Sequence, residues 1–481
     1  MLAFLLCTRF ALCEDFNNIR IYQVMVSSFQ DGDPNIGYGT GYGPSDHKGD
    51  LRGIINALDY IKGLGVNALW MTPIFDSANG QGGDKLQSTG YFATNYFKID
   101  PKFGDDATFR ELVDKCHKKG MYIFLDGVFG HHGGVTTPSP SGKLPQGGSN
   151  PVSYPGSLDF YKEVAKYWIE NYGIDGWRLD QCYQMYQNNY NYLKEIRQAV
   201  EEACNARKQR GEKWGTLGYI VGENWRSAAE IQTQTYSGDG IKSAFDFPSR
   251  YCLVQSIAME ESGASSGVEN LGNVFKTTSE KGYYGQVYPN LFISNHDVWR
   301  FGNLIRNKYG YGKSSQDYWK RHKIAMTVLA TYTGPITIYY GDEIGDLAEC
   351  WTGSNPSCGE NTYSDNVART NGQITGFNSD QQTLHDYTSK IMFARAENPA
   401  MWRGTSSIKY DGGIMFNCKY DDQTQNKVVM VINLGLDSRT VTYQVGGSTM
   451  TDLVTGNVIK GNNGSYQIQI DALGSAVYKV E

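Results

Sequence analysis

Four segments that are rich in β-forming residues end in a carboxylate or are closely followed by one. The segments and their acidic residues are 121–126 with Asp126, 174–180 with Asp180, 218–223 with Glu223, and 289–295 with Asp297 two residues beyond it. A carboxylate at the end of a buried strand costs free energy unless it is paired or takes part in chemistry. A single residue of this kind is more often a helix cap or a structural ion-pair partner. Four of them at one edge of a sheet would favour an acid-based active site.

Paired carboxylates are typical of glycoside hydrolysis. A retaining glycosidase needs a carboxylate nucleophile and a carboxylic acid about 5–5.5 Å apart, on opposite sides of the bond that is cleaved. The sequence shows no serine-nucleophile elbow, P-loop or dinucleotide-binding fingerprint that would compete with this interpretation. The glycine-rich stretch 37–43 (GYGTGYG) is not followed by the helical pattern that a phosphate-binding loop requires.

Short β-rich runs alternate with helical patterns from about residue 20 to about residue 400. In the helical patterns, apolar residues recur at three- and four-residue spacing, as at Leu51, Ile54, Ile55 and Leu58. Eight alternations predict parallel βαβ units that close into a (β/α)8 TIM barrel, with its chemistry at the C-terminal strand ends. The predicted strands are 21–27, 67–72, 121–126, 174–180, 218–223, 243–247, 289–295 and 335–340.

The same patterns divide the chain into domains. We assign residues 14–404 to an α/β catalytic barrel. Residues 405–481, where short strands alternate with Asp-Gly, Gly-Gly and Asn-Gly turns, are assigned to a C-terminal antiparallel β-sandwich. Within the barrel, residues 132–156 are rich in Gly, Pro and Ser and form a short inserted segment after the third strand. Residues 1–13 are a candidate signal segment, because they are apolar, although they lack a basic start.

Charge, hydropathy and cysteine spacing limit the partners of the chain. It carries 44 Lys and Arg against 50 Asp and Glu, a net charge of −6, so we expect no nucleic acid partner. No apolar run reaches the ~20 residues that a membrane helix needs. From the apolar first residues we expect a secreted, extracellular protein, and we expect it to be a monomer. Cys350 and Cys358 flank a loop that a disulfide could close, and no Cys/His cluster indicates zinc.

The motifs at the predicted strand ends have a familiar combination and order. They are GWRLD at 176–180, GEN at 222–224, NHD at 295–297 and GPITIYYGDEIG at 334–345. On these strands and in this order, they resemble the conserved regions of the α-amylase family, glycoside hydrolase family 13. The resemblance extends from the first predicted strand to the C-terminal sandwich.

This resemblance implies a role for each matching residue. Asp180 matches the nucleophile, Glu223 the general acid/base, and Asp297 a third carboxylate that binds sugar hydroxyls. The acid role requires a raised pKa for Glu223 and the nucleophile role a depressed pKa for Asp180, which Arg178 would help to hold ionised. The other predicted substrate-binding residues are Tyr91 under the sugar ring, His131 and His296 at its hydroxyls, and Asp126 as a hydrogen-bonding support.

The implied function is hydrolysis of α-1,4-glucosidic bonds in starch, glycogen or maltooligosaccharides by double displacement with retention. An enzyme of this α-amylase type takes an α-glucan as its partner and uses no organic cofactor. One alternative is a transglycosylase or α-glucosidase of the same family, with the same carboxylates. The other is a catalytically silent carbohydrate-binding barrel. The joint presence of the three carboxylates and Arg178 argues against that second alternative.

Calcium is the metal ion that the resemblance brings into question. Many members bind calcium beside the histidine of the third strand, but here Gly130 replaces their asparagine, and Gln184 stands where a histidine is frequent. The segments QDGDPN and HKGD offer clustered oxygen ligands of the kind that calcium prefers. The predicted ligands are Asp31, Asp33, Asn35 and Asp50. A turn with Asp50 as a helix cap explains the same residues without a metal, so both interpretations remain open.

Overall fold

The protein is described by a computed structural model that covers residues 15–352, 358 and 362–481. A large barrel comes first in the chain and a smaller antiparallel β-sheet domain follows it. The candidate signal segment 1–13 lies outside the described residues.

Eight parallel strands form the centre of the barrel. They are β1 Arg20–Val24, β2 Ala68–Met71, β3 Tyr122–Gly127, β4 Gly176–Leu179, β5 Tyr219–Gly222, β6 Ser243–Ala244, β7 Leu291–Phe292 and β8 Ile336–Tyr339. Their spatial order is β6-β5-β4-β3-β2-β1-β8-β7. A parallel bridge between Phe245 and Asn290 joins the two outer strands and closes the sheet. The predicted (β/α)8 barrel is therefore confirmed.

Helices surround this sheet and cover its apolar side chains. Helix Leu158–Tyr172 buries Phe160 and Trp168 on one face, as its three- and four-residue apolar spacing predicts. Gly173 ends the helix in the left-handed conformation (φ 76°), which glycine adopts without a Cβ clash. The α-helices are Val26–Phe29, Leu51–Asn56, Leu58–Gly63, Gly83–Gln87, Asp106–Lys118, Leu158–Tyr172, Leu193–Gln209, Ala228–Ile231, Phe247–Ile257, Val268–Leu271, Phe301–Tyr309, Gln316–Thr331, Ser379–Glu397 and Pro399–Arg403.

The inserted segment 132–156 packs against the loop that follows β3. The backbone N–H of Val152 donates to the carbonyl of Gly130 at 2.9 Å. The hydroxyl of Tyr154 donates to the carbonyl of Phe129, also at 2.9 Å, and both inserted side chains are buried. Two apolar anchors in a Gly/Pro/Ser-rich loop thus attach the segment to the barrel end at which the predicted acids lie.

Eight antiparallel strands build the C-terminal domain. They are β9 Thr405–Asp411, β10 Ile414–Asp421, β11 Asn426–Asn433, β12 Arg439–Gln444, β13 Thr449–Asp452, β14 Val458–Lys460, β15 Ser465–Ile470 and β16 Gly474–Val480. Six form a sheet in the order β9-β10-β11-β16-β13-β14, and β12 pairs with β15. Phe416 of β10 stacks on Tyr443 of β12 with ring centroids 4.4 Å apart, so the two sheets share an apolar core.

Two further expectations concern cysteines and membrane spans. Cys350 and Cys358 form a disulfide, as their spacing suggested. Among the helices of the described residues, none combines the length and the apolar character that crossing a bilayer requires.

Candidate active site

The parallel strands bring the four predicted acids to one end of the barrel. Asp126 is the second-last residue of β3. Asp180 and Glu223 directly follow β4 and β5, and Asp297 lies five residues beyond β7. Because all eight strands run in the same direction, their C-terminal ends meet at the same face. The side chains of Asp126, Asp180 and Glu223 are buried, and Asp297 is partly exposed.

A single guanidinium joins three of these carboxylates. Arg178, 1% exposed, places Nη1 2.9 Å from Asp126 Oδ1 and 2.7 Å from Asp180 Oδ1, and Nη2 3.1 Å from Glu223 Oε2. The backbone N–H of Gln181 donates to the same Glu223 oxygen at 3.0 Å. Gln181 reaches it with a left-handed φ of 39°, a conformation that costs a non-glycine residue free energy. Asp180 and Glu223 are thus held together, and their ~5–5.5 Å separation stays a prediction.

Burial controls the protonation of this cluster. It raises the pKa of Glu223 to about 8, that of Asp180 to about 7 and that of Asp126 to about 6, against the opposing effect of Arg178. The raised pKa expected for Glu223 is confirmed. The depressed pKa expected for Asp180 is wrong, because removal from water, together with the negative charges of Asp126 and Asp297, outweighs Arg178. Burial therefore favours a state in which this pair holds a proton at neutral pH, which an acid and a nucleophile together require.

Asp297 has a different environment. Its Oδ1 accepts a hydrogen bond from Arg369 Nη2 at 2.9 Å, and its Oδ2 lies 3.2 Å from His296 Nε2. Burial acts to raise the pKa of Asp297, but His296, Arg369 and Arg178 together hold it below its ordinary value. Asp297 is therefore an ionised acceptor at neutral pH, as a carboxylate that binds sugar hydroxyls must be.

A hydrogen-bonded chain crosses the floor of the site. Gln23 Nε2 donates to His296 Nδ1 at 2.8 Å, which leaves the ring proton on Nε2. His296 Nε2 lies 2.7 Å from the hydroxyl of Tyr91, which donates in turn to Asp126 Oδ2 at 2.8 Å. Burial lowers the pKa of His296 to about 3, so the ring is neutral. Each hydrogen bond from Gln23 to Asp126 is then donated in the same direction. This chain fixes the Tyr91 ring, which was predicted to lie under the sugar.

His131 lies beside the nucleophile. Its Nε2 is 3.7 Å from Asp180 Oδ2, and its ring lies 5.3 Å from that of Phe92. Burial and the charge of Arg178 lower the pKa of His131, so this ring is also neutral. Five of the eight predicted catalytic and substrate-binding residues therefore line the cleft, and Asp126, Arg178 and His296 are buried against them. Their individual roles remain predictions.

The cleft extends to both sides of the carboxylates. A cavity of about 780 Å³ lies on the Tyr91 and His131 side, and a second of about 370 Å³ lies on the Glu223 side. The residues that line both are Asp180, Gln181, Asp297 and Asp365. The smaller cavity also contains Trp225, which is 41% exposed and stacked on Phe247 with centroids 5.2 Å apart. A chain-like ligand can therefore continue past the acids in both directions.

Sequence reasoning missed several residues of the site. Trp70 Nε1 donates to Asp126 at 3.3 Å, but in the strand-like run NALWMT it reads as a core residue. Arg369 lies in a loop beyond β8 that carries no recognised motif. Gln23 of β1 is a polar residue that follows Ile21 and Tyr22 and precedes Val24, and that signal could have been used. Each of them contacts a predicted site residue that is far away in the sequence.

The predicted calcium ligands are organised by hydrogen bonds. Asp50 caps helix Leu51–Asn56 by accepting from Gly53 N, and its other oxygen accepts from the N–H groups of Gly32 and Asp33, both at 2.9 Å. Asn35 turns its amide nitrogen, not its oxygen, toward Asp33. Asp31 is exposed. The helix-cap alternative is confirmed. No group of three or more His, Cys, Asp or Glu side chains placed to hold a metal occurs in the described part of the chain. This loop does not fit a calcium site, and calcium binding stays an untested expectation.

Comparisons with known proteins agree with the fold and the motifs. The family model "Alpha amylase, catalytic domain" matches residues 23–138 and 158–407. A cyclomaltodextrinase of Geobacillus thermopakistaniensis is 25% identical over 96% of this chain and 76% of its own length. An intracellular maltogenic amylase of Bacillus subtilis is 30% identical over 62% of this chain and 49% of its own.

Solved structures show the same similarity. The crystal structure of AmyP in complex with maltose is 41% identical, with a TM-score of 0.90 over 97% of each chain. The α-amylase from Geobacillus thermoleovorans, complexed with acarbose, is 25% identical, with a TM-score of 0.75 over 97% of this chain and 99% of that one. The catalytic-domain model covers well over half of the sequence, and so the chain belongs to the α-amylase family and is a glycosidase that acts on α-glucans.

Proposed function

We propose that the protein is a retaining hydrolase of α-1,4-glucosidic bonds in starch, glycogen or maltooligosaccharides. The observation that carries this proposal is the pair of ion pairs that Arg178 makes with Asp180 and Glu223, with Asp297 ionised beside them. A retaining mechanism requires such a pair, one member charged and one protonated. The raised pKa of Glu223 supports its assignment as the protonated member.

In the proposed first step, Glu223 gives its proton to the glycosidic oxygen while Asp180 Oδ attacks the anomeric carbon. The bond to the leaving sugar breaks and an ester to Asp180 forms. In the second step the ionised Glu223 takes a proton from water, and the resulting hydroxide displaces Asp180. Asp297 accepts hydrogen bonds from the sugar hydroxyls in both steps, and these strengthen as positive charge develops on the ring.

The two-sided cleft supports cleavage inside a glucan chain. Sugars on the non-reducing side would occupy the cavity of about 780 Å³, and sugars on the leaving-group side the cavity of about 370 Å³. The exposed face of Trp225 offers an apolar platform for a sugar ring on the leaving-group side. A glucan that extends in both directions makes use of both cavities.

The test is product analysis with maltoheptaose, with and without added glucose as acceptor. We expect several shorter maltooligosaccharides, formed first as the α-anomer, and little longer product when glucose is added. Predominant longer products would instead establish a transglycosylase, and release of glucose alone an α-glucosidase. Asp180→Asn and Glu223→Gln should each lower kcat by about 10³-fold or more.

Glu343→Gln is the matched control for these variants. Glu343 is also a buried carboxylate that follows a barrel strand, but it accepts from Tyr22 and Tyr60 away from the cleft. This variant should lose stability and keep its turnover. Near-normal turnover in either Asp180→Asn or Glu223→Gln would refute the proposed mechanism.

We also propose that the chain is secreted, on the basis of its apolar first residues. N-terminal sequencing of protein recovered from the culture medium of a native host would show whether segment 1–13 has been removed.

A further inference from the structure

One side-chain amide connects the inserted segment, the loop after β4 and the cleft. Gln184 Nε2 donates to Asn150 Oδ1 at 3.0 Å and to Gln181 Oε1 at 3.4 Å. Its Oε1 lies 3.3 Å from His131 Nδ1. Asn150 belongs to the inserted segment, and Gln181 directly follows Asp180 in the chain. Gln184 is half-buried where these three parts meet.

The orientation of this amide determines the tautomer of His131. Both amide hydrogens of Gln184 are directed at oxygen acceptors, so Oε1 is the atom that faces the ring. An amide oxygen only accepts, and the neutral ring must then carry its proton on Nδ1. Its Nε2, 3.7 Å from Asp180 Oδ2, is then the nitrogen that carries the lone pair. His131 consequently offers an acceptor to a sugar hydroxyl.

The residue before His131 leaves room for the amide. A Cβ added at Gly130 would lie 2.0 Å from Gln184 Oε1 and 2.7 Å from Gln184 Cβ. The backbone of Gly130 lies outside the left-handed region, so its conformation does not demand glycine. Space for the amide is what excludes a side chain there. Gly130 and Gln184 thus act as a matched pair.

We propose that Gln184 is a positioning residue, which holds His131 as the Nδ1-protonated tautomer and directs its Nε2 lone pair at the substrate. The same amide contacts His131 through Oε1 and attaches the inserted segment through the hydrogen bond from Nε2 to Asn150. The inference rests on the proposed hydrolysis for its kinetic readout and is independent of it for its spectroscopic one.

The matched control is Gln187. It attaches the same inserted segment, because Nε2 donates to the carbonyl of Val152 at 2.8 Å and Oε1 accepts from Tyr154 N at 3.0 Å. Its third hydrogen bond runs from Nε2 to the backbone carbonyl of Gln184 at 2.9 Å, and none of the three is made to His131. A purely structural role for Gln184 would make Gln184→Met and Gln187→Met equivalent in activity once their melting temperatures are matched.

The first experiment measures kcat/KM on a maltooligosaccharide together with the melting temperature. We expect Gln184→Met and Gly130→Ala to lower kcat/KM about tenfold, and Gln187→Met less than about twofold at a similar loss of stability. In a His131→Ala background, Gln184→Met should lower the melting temperature without a further loss of kcat/KM. Equal losses in the Gln184 and Gln187 variants, or a full additional loss in the His131→Ala background, would overturn the inference.

The second experiment needs no turnover. The chain has seven histidines, and selective ¹⁵N-histidine labelling with a His131→Gln reference spectrum assigns the resonances of His131. The wild-type protein should show a neutral ring protonated on Nδ1, and Gln184→Met should shift the ring toward the Nε2-protonated form. An Nε2-protonated ring in the wild type would refute the inference. Failure of wild-type protein to cleave α-1,4-glucans would refute only the proposed function.

Discussion

Removing the charge of Asp126 should make the enzyme active at lower pH. Asp126→Asn keeps the shape of the side chain and an oxygen that can accept from Tyr91 and Arg178. It removes one of the negative charges that raise the pKa of Asp180. With that charge absent, the ionised form of Asp180 becomes easier to reach and its pKa falls. The acid limb of kcat/KM reports this ionisation in the free enzyme, so it should move to lower pH.

The size of the shift follows from the geometry. Asp126 Oδ1 and Asp180 Oδ1 lie 2.9 and 2.7 Å from the same Nη1 of Arg178, which places the two oxygens on the order of 5 Å apart. At an effective dielectric constant of ~20 this interaction is worth about 3 kcal/mol, or about two pKa units. Partial screening by the cleft reduces the expected shift to about one to two pH units. The limb assigned to Glu223 should move less, because Glu223 bonds to the other guanidinium nitrogen.

The assay is kcat/KM of a chromogenic maltooligosaccharide between pH 4 and pH 9 (an assay range of ~5 pH units). The maximum should fall about tenfold, since bonds to a charged acceptor become bonds to a neutral one, and the shape of the profile carries the test. Asp100→Asn is the control. Asp100 is equally a buried carboxylate, hydrogen-bonded to Tyr38, and its neutralisation should leave the profile in place. An acid limb in Asp126→Asn that stays unmoved or moves to higher pH would refute the account of Asp180.

Three further outcomes are expected. Arg369→Met should lower kcat/KM about 10- to 100-fold, because a hydrogen bond to the charged Asp297 is lost. The control Arg403→Met removes an Arg–Asp pair at the edge of the C-terminal domain and should lower only the melting temperature. Equal kinetic losses in the two variants would contradict the contact assigned to Arg369. Trp225→Ala should raise KM for long maltooligosaccharides more than for short ones, and a uniform change would argue against a sugar platform. N–H groups already donate to Asp50 Oδ2 and Asp33 Oδ1, so a chelator should change the melting temperature by less than about 1 °C in a thermal-shift assay. A fall of several degrees that Asp33→Ala abolishes would establish calcium at this loop.

Local patterns in the chain were enough to predict the barrel and the position of its acids. Apolar spacing distinguishes strand from helix over short stretches, and alternation of the two leaves few topologies. Asp180 and Glu223 both follow parallel strands, and the C-terminal ends of such strands lie at the same face of the barrel. Their common position could therefore be predicted without knowing any side-chain contact. The disulfide between Cys350 and Cys358 was predictable for a similar reason, since both cysteines border one short loop.

The electrostatics of the site depended on the tertiary structure. A neighbouring arginine suggested a depressed pKa for Asp180, but how far that side chain is removed from water depends on packing by other strands, and burial prevailed. Arg369 and Gln23 reach Asp297 and His296 from distant segments, and only the polar Gln23 within β1 gives any local signal of its contact. The pairing of Gly130 with Gln184 likewise exists only where two loops meet in space. Residue types and periodicity decide which groups arrive at the cleft, whereas solvent exclusion and long-range contacts decide their protonation and orientation.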